Sequence, residues 1–172
     1  LQNALNIAKK QQKLKRFVFT STSEVYAGTL HHYGLEFPTP ELTPLTVNDI
    51  NEARTSYMLS KIYGEAMCQH SGLPVTIVRP HNFYGPRMGL SHVVPELMKK
   101  VVEIESDHLD VFSVKHKRTF CYIKDAVQMI KLLAESDQTI GKSYNIGNDD
   151  EEITMGELAE KIIGLIGKNV KI

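Results

Sequence analysis

Residues 17–26 read FVFTSTSEVY: three apolar residues, four hydroxyl side chains in a row, then a glutamate and, after Val25, an aromatic. A short apolar run of this kind, Phe17 to Thr20, reads as a buried strand. The flanking sequence decides what kind of sheet it joins. Before it, Leu1, Ala4, Leu5 and Ala8 recur at helical spacing. After it, Thr55 to His70 reads as a helix stopped by Gly72 and Pro74, and PVTIVRP is a β-branched strand, Pro74 to Arg79, closed by Pro80. Further on come a helix from Ser91 to about Glu105, a strand at LDVFSV and a helix from Asp125 to Ser136. A strand at KSYNIG follows, then a last helix opened by the Thr154/Glu157 capping box. Strands alternating with helices predict an α/β fold with a mainly parallel sheet. In such sheets ligands sit at the carboxyl ends of the strands, so the hydroxyl run after Phe19 is placed for chemistry as well as for a turn.

Composition excludes several classes. The chain has 172 residues, 42% hydrophobic and 23% charged, with formal net charge zero. Balanced charge removes the argument for a nucleic-acid or anionic-membrane partner. The basic cluster Lys9, Lys10, Lys13, Lys15 and Arg16 is expected as a solvated helix terminus, where cations complement the dipole. Cys68 and Cys121 lack CxxC spacing and read as reduced, structural thiols of a cytoplasmic protein. The histidines show no HxxxH or HExxH pattern, so no metal site is expected, and no G-x-S-x-G elbow supports a nucleophilic serine. Gly28 to Asn51, with Pro38, Pro40 and Pro44, is a polar stretch long enough for a lid or binding loop.

SYMLSK sets Tyr57 and Lys61 four apart on the second helix, about 400° of rotation, so both side chains emerge on one face. A cation held beside a phenol favours the phenolate, which suits a tyrosine to acid–base work. A surface pair on an ordinary helix is the plain alternative.

Five ordered segments carry more information than that pair alone: FTSTSEVY after a strand, YxxxK on a helix, VRPHNFYGPR after another strand, then KRTFCYIKDAV and YNIGN. Together the chain resembles the extended short-chain dehydrogenase/reductase family, within it the NAD-dependent nucleotide-sugar epimerases, dehydratases and decarboxylases. The resemblance implies a partial Rossmann-type doubly wound parallel sheet. Residues 1–85 would be the catalytic half of the NAD-binding domain, and residues 86–172 mixed substrate-binding and returning Rossmann segments.

The resemblance also implies roles. Thr22 matches the residue that hydrogen-bonds the reacting hydroxyl, Tyr57 the catalytic base, and Lys61 the lysine that tunes it and holds the nicotinamide ribose. His81 matches a position lining the nicotinamide, where the family usually has an aromatic or another bulky residue. Asn82 and Arg118 match residues contacting the diphosphate of a sugar nucleotide, Ser23 is matched to a further substrate contact, and Arg87 to either a substrate contact or a structural arginine. The implied chemistry is oxidation of the sugar C4 hydroxyl to a 4-ketone, with NAD as cofactor. Thr22–Ser23–Glu24 narrows the outcome. Related 4,6-dehydratases carry Asp–Glu after the threonine. A serine hydroxyl holds its proton too tightly to replace that carboxylic acid, which disfavours dehydration. Ser–Glu, with Glu24 as a catalytic carboxylate, resembles the uronate decarboxylases and also occurs among epimerases.

The family's G-x-x-G-x-x-G turn is absent from this sequence, so the chain reads as a fragment of a longer enzyme, inactive alone and homodimeric in its full-length parent. Two other classes are weighed. An NAD(P)H-dependent carbonyl reductase has no diphosphate to bind and should lack Asn82 and Arg118. A non-catalytic interaction domain has no need of Thr22, Tyr57 and Lys61 together.

Overall fold

The computed structural model describes residues 1–172. In chain order the elements are α1 (Gln2–Lys9), β1 (Phe17–Thr20), a 3-10 turn at Ser23–Tyr26, α2 (Ala27–Tyr33), α3 (Ala53–Gln69) and β2 (Val75–Pro80). There follow β3 (Phe83–Tyr84), α4 (Val93–Glu103), β4 (Lys117–Arg118), β5 (Cys121–Tyr122) and α5 (Ile123–Glu135). The chain closes with β6 (Lys142–Ile146), β7 (Ile153–Thr154) and α6 (Met155–Ile166). These form two compact units, Leu1–His81 with Asp125–Ile146, and Asn82–Lys124 with Gly147–Ile172.

The first unit is built on a three-stranded parallel sheet in the order β1-β2-β6. Phe17 faces Val75 and Thr20 faces Val78, while Val78 in turn faces Tyr144 and Pro80 faces Ile146, so the carboxyl ends of all three strands align. β2 is central and buried from Val75 to Arg79, the continuous burial of a strand covered on both faces. Leu5 of α1, Cys68 of α3, and Val75 and Ile77 of β2 form the core, with Phe17, Phe19, Met67 and Leu73 packed on it. Burying a side chain such as Ile77 contributes about 1.5–3 kcal/mol. Gly64 lets α3 cross β1 closely: a Cβ there would meet the Phe19 ring at 2.5 Å. Burial pushes the Cys68 thiol above its ordinary pKa, with Glu65 adding to the effect, so it stays a protonated core group.

The second unit packs α4 on α6 through Leu97, Val101, Leu109, Met155, Ala159, Ile162 and Ile163. Its strands are short pairs, β3 parallel to β5 and β4 antiparallel to β7. The Thr154/Glu157 capping box forms in both halves: the Glu157 amide donates to Thr154 Oγ1 at 3.1 Å, and the Thr154 amide donates to Glu157 Oε2 at 2.7 Å. Those bonds from Thr154 hold the Glu157 carboxyl below its ordinary range.

Several local expectations change. LDVFSV is not a strand: Ser113 takes φ 55° and the His116 amide closes a turn onto the Ser113 carbonyl, while Leu109 and Val111 turn into the α4/α6 core. The stretch from Gly28 is not a single loop, because its first part belongs to α2. α4 is preceded by His92 rather than capped by Ser91, and α5 starts at Ile123, placing Asp125 in its first turn, where it complements the helix dipole. Arg16 is not part of a solvated terminus. Its side chain is 6% exposed, and the guanidinium donates to Thr76 Oγ1 at 2.9 Å, Thr139 Oγ1 at 3.0 Å and the Ser136 carbonyl at 2.7 Å. A buried guanidinium is tolerated only with such partners.

Candidate active site

β1 delivers its hydroxyl run to the carboxyl edge of the sheet. The Ser21 amide still donates to the Val78 carbonyl at 2.7 Å, then the chain turns at Thr22. Thr22 is extended (φ −160°, ψ 152°) and caps the 3-10 turn, its Oγ1 accepting from the Glu24 amide at 3.3 Å. Thr22 is nearly buried, and a hydroxyl that accepts one hydrogen bond can still donate another.

Tyr57 and Lys61 leave the same face of α3. Lys61 Nζ donates to the Thr20 carbonyl at 2.9 Å and stands 5.7 Å from the Tyr57 ring centroid and 5.6 Å from that of Phe19. This bond ties the helix to the end of β1, directly before Ser21 and Thr22. The cation lies within the range of favourable interaction with both rings. Tyr57 is 41% exposed, open to a ligand from solvent.

Glu24 is held by Arg54, a residue absent from the sequence-based expectation. Arg54 Nε donates to Glu24 Oε2 at 2.7 Å, and Nη2 donates to Oε1 to complete a two-bond fork. The bond to Glu24 and its charge hold the Arg54 guanidinium above its ordinary pKa. The same guanidinium lies 5.3 Å from the Tyr57 ring centroid, so Tyr57 has a cation on each side, from Arg54 and Lys61. Ser23 Oγ lies 3.1 Å from His81 Nδ1, and the His81 amide donates to the Ile146 carbonyl at 2.8 Å.

Beneath this edge runs a buried network that sequence reasoning also missed. Ser21 Oγ donates to Glu65 Oε1 at 2.5 Å, and Arg79 forks onto Glu65 at 2.9 and 2.6 Å. Arg79 also donates to the Tyr26 hydroxyl at 2.5 Å and the Glu41 carbonyl at 2.9 Å, and Tyr26 donates to Asn145 Oδ1 at 2.9 Å. Burial alone lowers the Arg79 pKa, but the Glu65 fork and charge, with Tyr26, outweigh it and hold the group above its ordinary value. One sequence signal marks each member of this pair, though neither marks its partner. Arg79 interrupts an otherwise apolar central strand, and Glu65 extends the Tyr57–Lys61 stripe by another four residues.

In the second unit Asn82 (φ 44°) and Arg87 (φ 66°) both take the left-handed conformation that disfavours ordinary side chains. Asn82 Nδ2 donates to the Thr119 carbonyl at 3.0 Å and the Cys121 amide donates to the Asn82 carbonyl at 3.1 Å. Arg118 lies on β4 opposite Ile153, with its side chain exposed.

Residues 1–147 match the family model described as the NAD dependent epimerase/dehydratase family. The chain belongs to this family.

Among epimerase/dehydratase relatives, UDP-glucuronic acid decarboxylase 5 of Arabidopsis thaliana is 35% identical over 177 residues, covering 99% of this chain and 48% of its own length. UDP-N-acetyl-alpha-D-glucosaminuronate decarboxylase of Bacillus cytotoxicus is 34% identical over 179 residues, covering 99% of this chain and 52% of its own. A dTDP-glucose 4,6-dehydratase from Bacillus anthracis, solved in complex with NAD, superposes with TM-score 0.75 at 29% identity, over 97% of this chain and 50% of that one. The chain thus spans about half the length of the curated relatives it matches.

The donor set fits the nicotinamide end of the family's NAD. Lys61 is anchored beside Tyr57 at the carboxyl edge of a parallel sheet, and Thr22 and His81 stand at the ends of adjacent strands. No helix is long and apolar enough to cross a membrane.

Proposed function

We propose that the protein carrying this chain oxidises the C4 hydroxyl of a nucleotide-diphosphate sugar to a 4-ketone, and that its substrate is a uronate which then loses its C6 carboxylate as carbon dioxide. The observation that carries the oxidation is Tyr57 and Lys61 on one face of α3, with Lys61 bonded to the strand end that presents Thr22. In this reading the Tyr57 oxygen accepts the proton of the C4 hydroxyl, and Thr22 donates a hydrogen bond that orients the reacting oxygen. Lys61 stands beside Tyr57 and offers its remaining N–H groups to the nicotinamide ribose. When bound, NAD supplies the acceptor for the C4 hydride and returns it at the end of the cycle. Asn82, Arg87 and Arg118 are assigned to the sugar nucleotide. The left-handed backbone of Asn82 and Arg87 supports this, because strain of that kind gathers at ligand sites.

Ser23 in place of an aspartic acid supports decarboxylation over 4,6-dehydration, as do relatives named for acting on nucleotide uronates. A 4-ketone places the C6 carboxylate β to a carbonyl, where carbon dioxide leaves without an added acid at that step. Glu24, forked by Arg54, is a fixed negative charge beside the site and is assigned to orienting sugar hydroxyls. A cytoplasmic setting and a homodimer belong to the same proposal. Two buried cysteines without a disulfide suit a reducing compartment.

The test is incubation of the full natural-length protein with NAD and a panel of UDP-, GDP-, CDP- and dTDP-sugars, with products read by mass and NMR. Loss of carbon dioxide from a uronate is the expected result. Loss of water, or unchanged mass with inverted C4, would overturn the decarboxylase assignment while keeping the 4-ketone.

A further inference from the structure

Ser23 alone is a poor acid, yet decarboxylation leaves a carbon that must be protonated. The structure supplies Ser23 with a partner: Ser23 Oγ lies 3.1 Å from His81 Nδ1. The two residues follow the carboxyl ends of neighbouring strands, Thr20 of β1 being in register with Val78 of β2, so sheet pairing sets their approach. The other charged groups of this edge are already engaged, Glu24 with Arg54 and Lys61 with the Thr20 carbonyl.

We propose that Ser23 and His81 form a proton-donating dyad, in which Ser23 delivers the proton to the sugar and His81 is the positioning residue that replenishes it. The inference rests on the uronate-decarboxylase reading above. Loss of carbon dioxide breaks the C5–C6 bond, and its electron pair remains as the C4–C5 enolate of the 4-ketone. C5 takes the proton of the Ser23 hydroxyl while Oγ takes the Nδ1 proton of the His81 imidazolium. A new C5–H bond forms, the serine O–H is broken and remade, and the ring is left neutral. His81 is exposed and regains its proton from solvent. Serine never carries a charge: the negative charge of the enolate is cancelled by the positive charge that the imidazolium gives up. An imidazole with an ordinary pKa of about 6.5 can be recharged near neutral pH.

The test uses the full natural-length protein loaded with NAD, with His81→Phe and His81→Gln checked for folding by circular dichroism. With a decarboxylated uronate, both variants should keep KM within two-fold and lower kcat at least ten-fold. In single turnovers, hydride transfer and carbon dioxide release should persist, with NADH and the 4-keto species accumulating. Ser23→Ala should behave alike, and Ser23→Ala with His81→Phe should fall no further than the worse single variant. Independently of turnover, side-chain nitrogen NMR should show the His81 Nδ1 resonance shifting in Ser23→Ala. Carbon dioxide release with unchanged kcat in the His81 variants, a change confined to KM, or an unmoved Nδ1 resonance would each overturn the dyad alone. A wild-type protein that releases no carbon dioxide from any nucleotide uronate would overturn the functional reading, and the dyad with it.

Discussion

α3 meets two different environments along one face. Its first half holds Arg54, Tyr57 and Lys61, whose side chains reach partners while remaining open to solvent. Four residues past Lys61 the same stripe places Glu65 in the interior, where the Glu65 and Arg79 side chains are 8% and 5% exposed. The first half spends its cations on a phenol, a carboxylate and a backbone carbonyl at the sheet edge. The second half uses its carboxylate to lock that edge from below, through Ser21 and Arg79. The proposed chemistry therefore sits on the half that water reaches, and rigidity on the half that water does not. The same charge types cost little in the first place and a great deal in the second.

That contrast can be broken by substitution. Tyr57→Phe removes the only atom that the reading asks to handle the C4 proton, so turnover should fall by about 10²–10⁴-fold with stability nearly unchanged. Paired turnover and urea-unfolding measurements check this, and a rate within a few-fold of wild type would show that the base is elsewhere. Glu65→Ala leaves the Arg79 guanidinium buried without its carboxylate, and should cost about 3–5 kcal/mol of unfolding free energy. Replacing both partners together, Glu65→Leu with Arg79→Met, should cost less than Glu65→Ala alone, because no buried charge is stranded. Should the double variant prove worse, the bonds of Arg79 to Tyr26 and the Glu41 carbonyl carry more than the ion pair does. Arg54→Ala, at the exposed end, should cost less than about 1 kcal/mol, since its fork to Glu24 is largely solvated. An unfolding loss comparable to that of Glu65→Ala would erase the distinction between the two halves of the helix.

Legibility followed the same division. Helices and strands whose periodicity comes from burial were readable, α3, β2 and β6 among them, and the Thr154 capping box was readable because it is local in sequence. LDVFSV misled because its apolar residues alternate as a strand's do, while the left-handed Ser113 and the packing of Leu109 and Val111 decide otherwise. Arg16 misled because it follows four lysines that point to solvent in composition, whereas its partners Thr76 and Thr139 lie far along the chain. Tyr57 and Lys61 could be paired from a helical spacing of four. Glu24 with Arg54, and Glu65 with Arg79, could not be paired by any local rule.

By itself the sequence determined the alternation of elements, the parallel sheet, the edge that carries Thr22 and the shared face of Tyr57 and Lys61. These depend on residue type and on periods of two or three to four, which are properties of the local chain. Only the tertiary structure decided that Arg54 forks Glu24, that His81 meets Ser23 and that Glu65 and Arg79 underpin the edge from the interior. Each of those contacts joins segments that strand register and helix packing bring together, and for the buried Glu65–Arg79 pair the free energy that selects it is the cost of leaving a polar group without its partner.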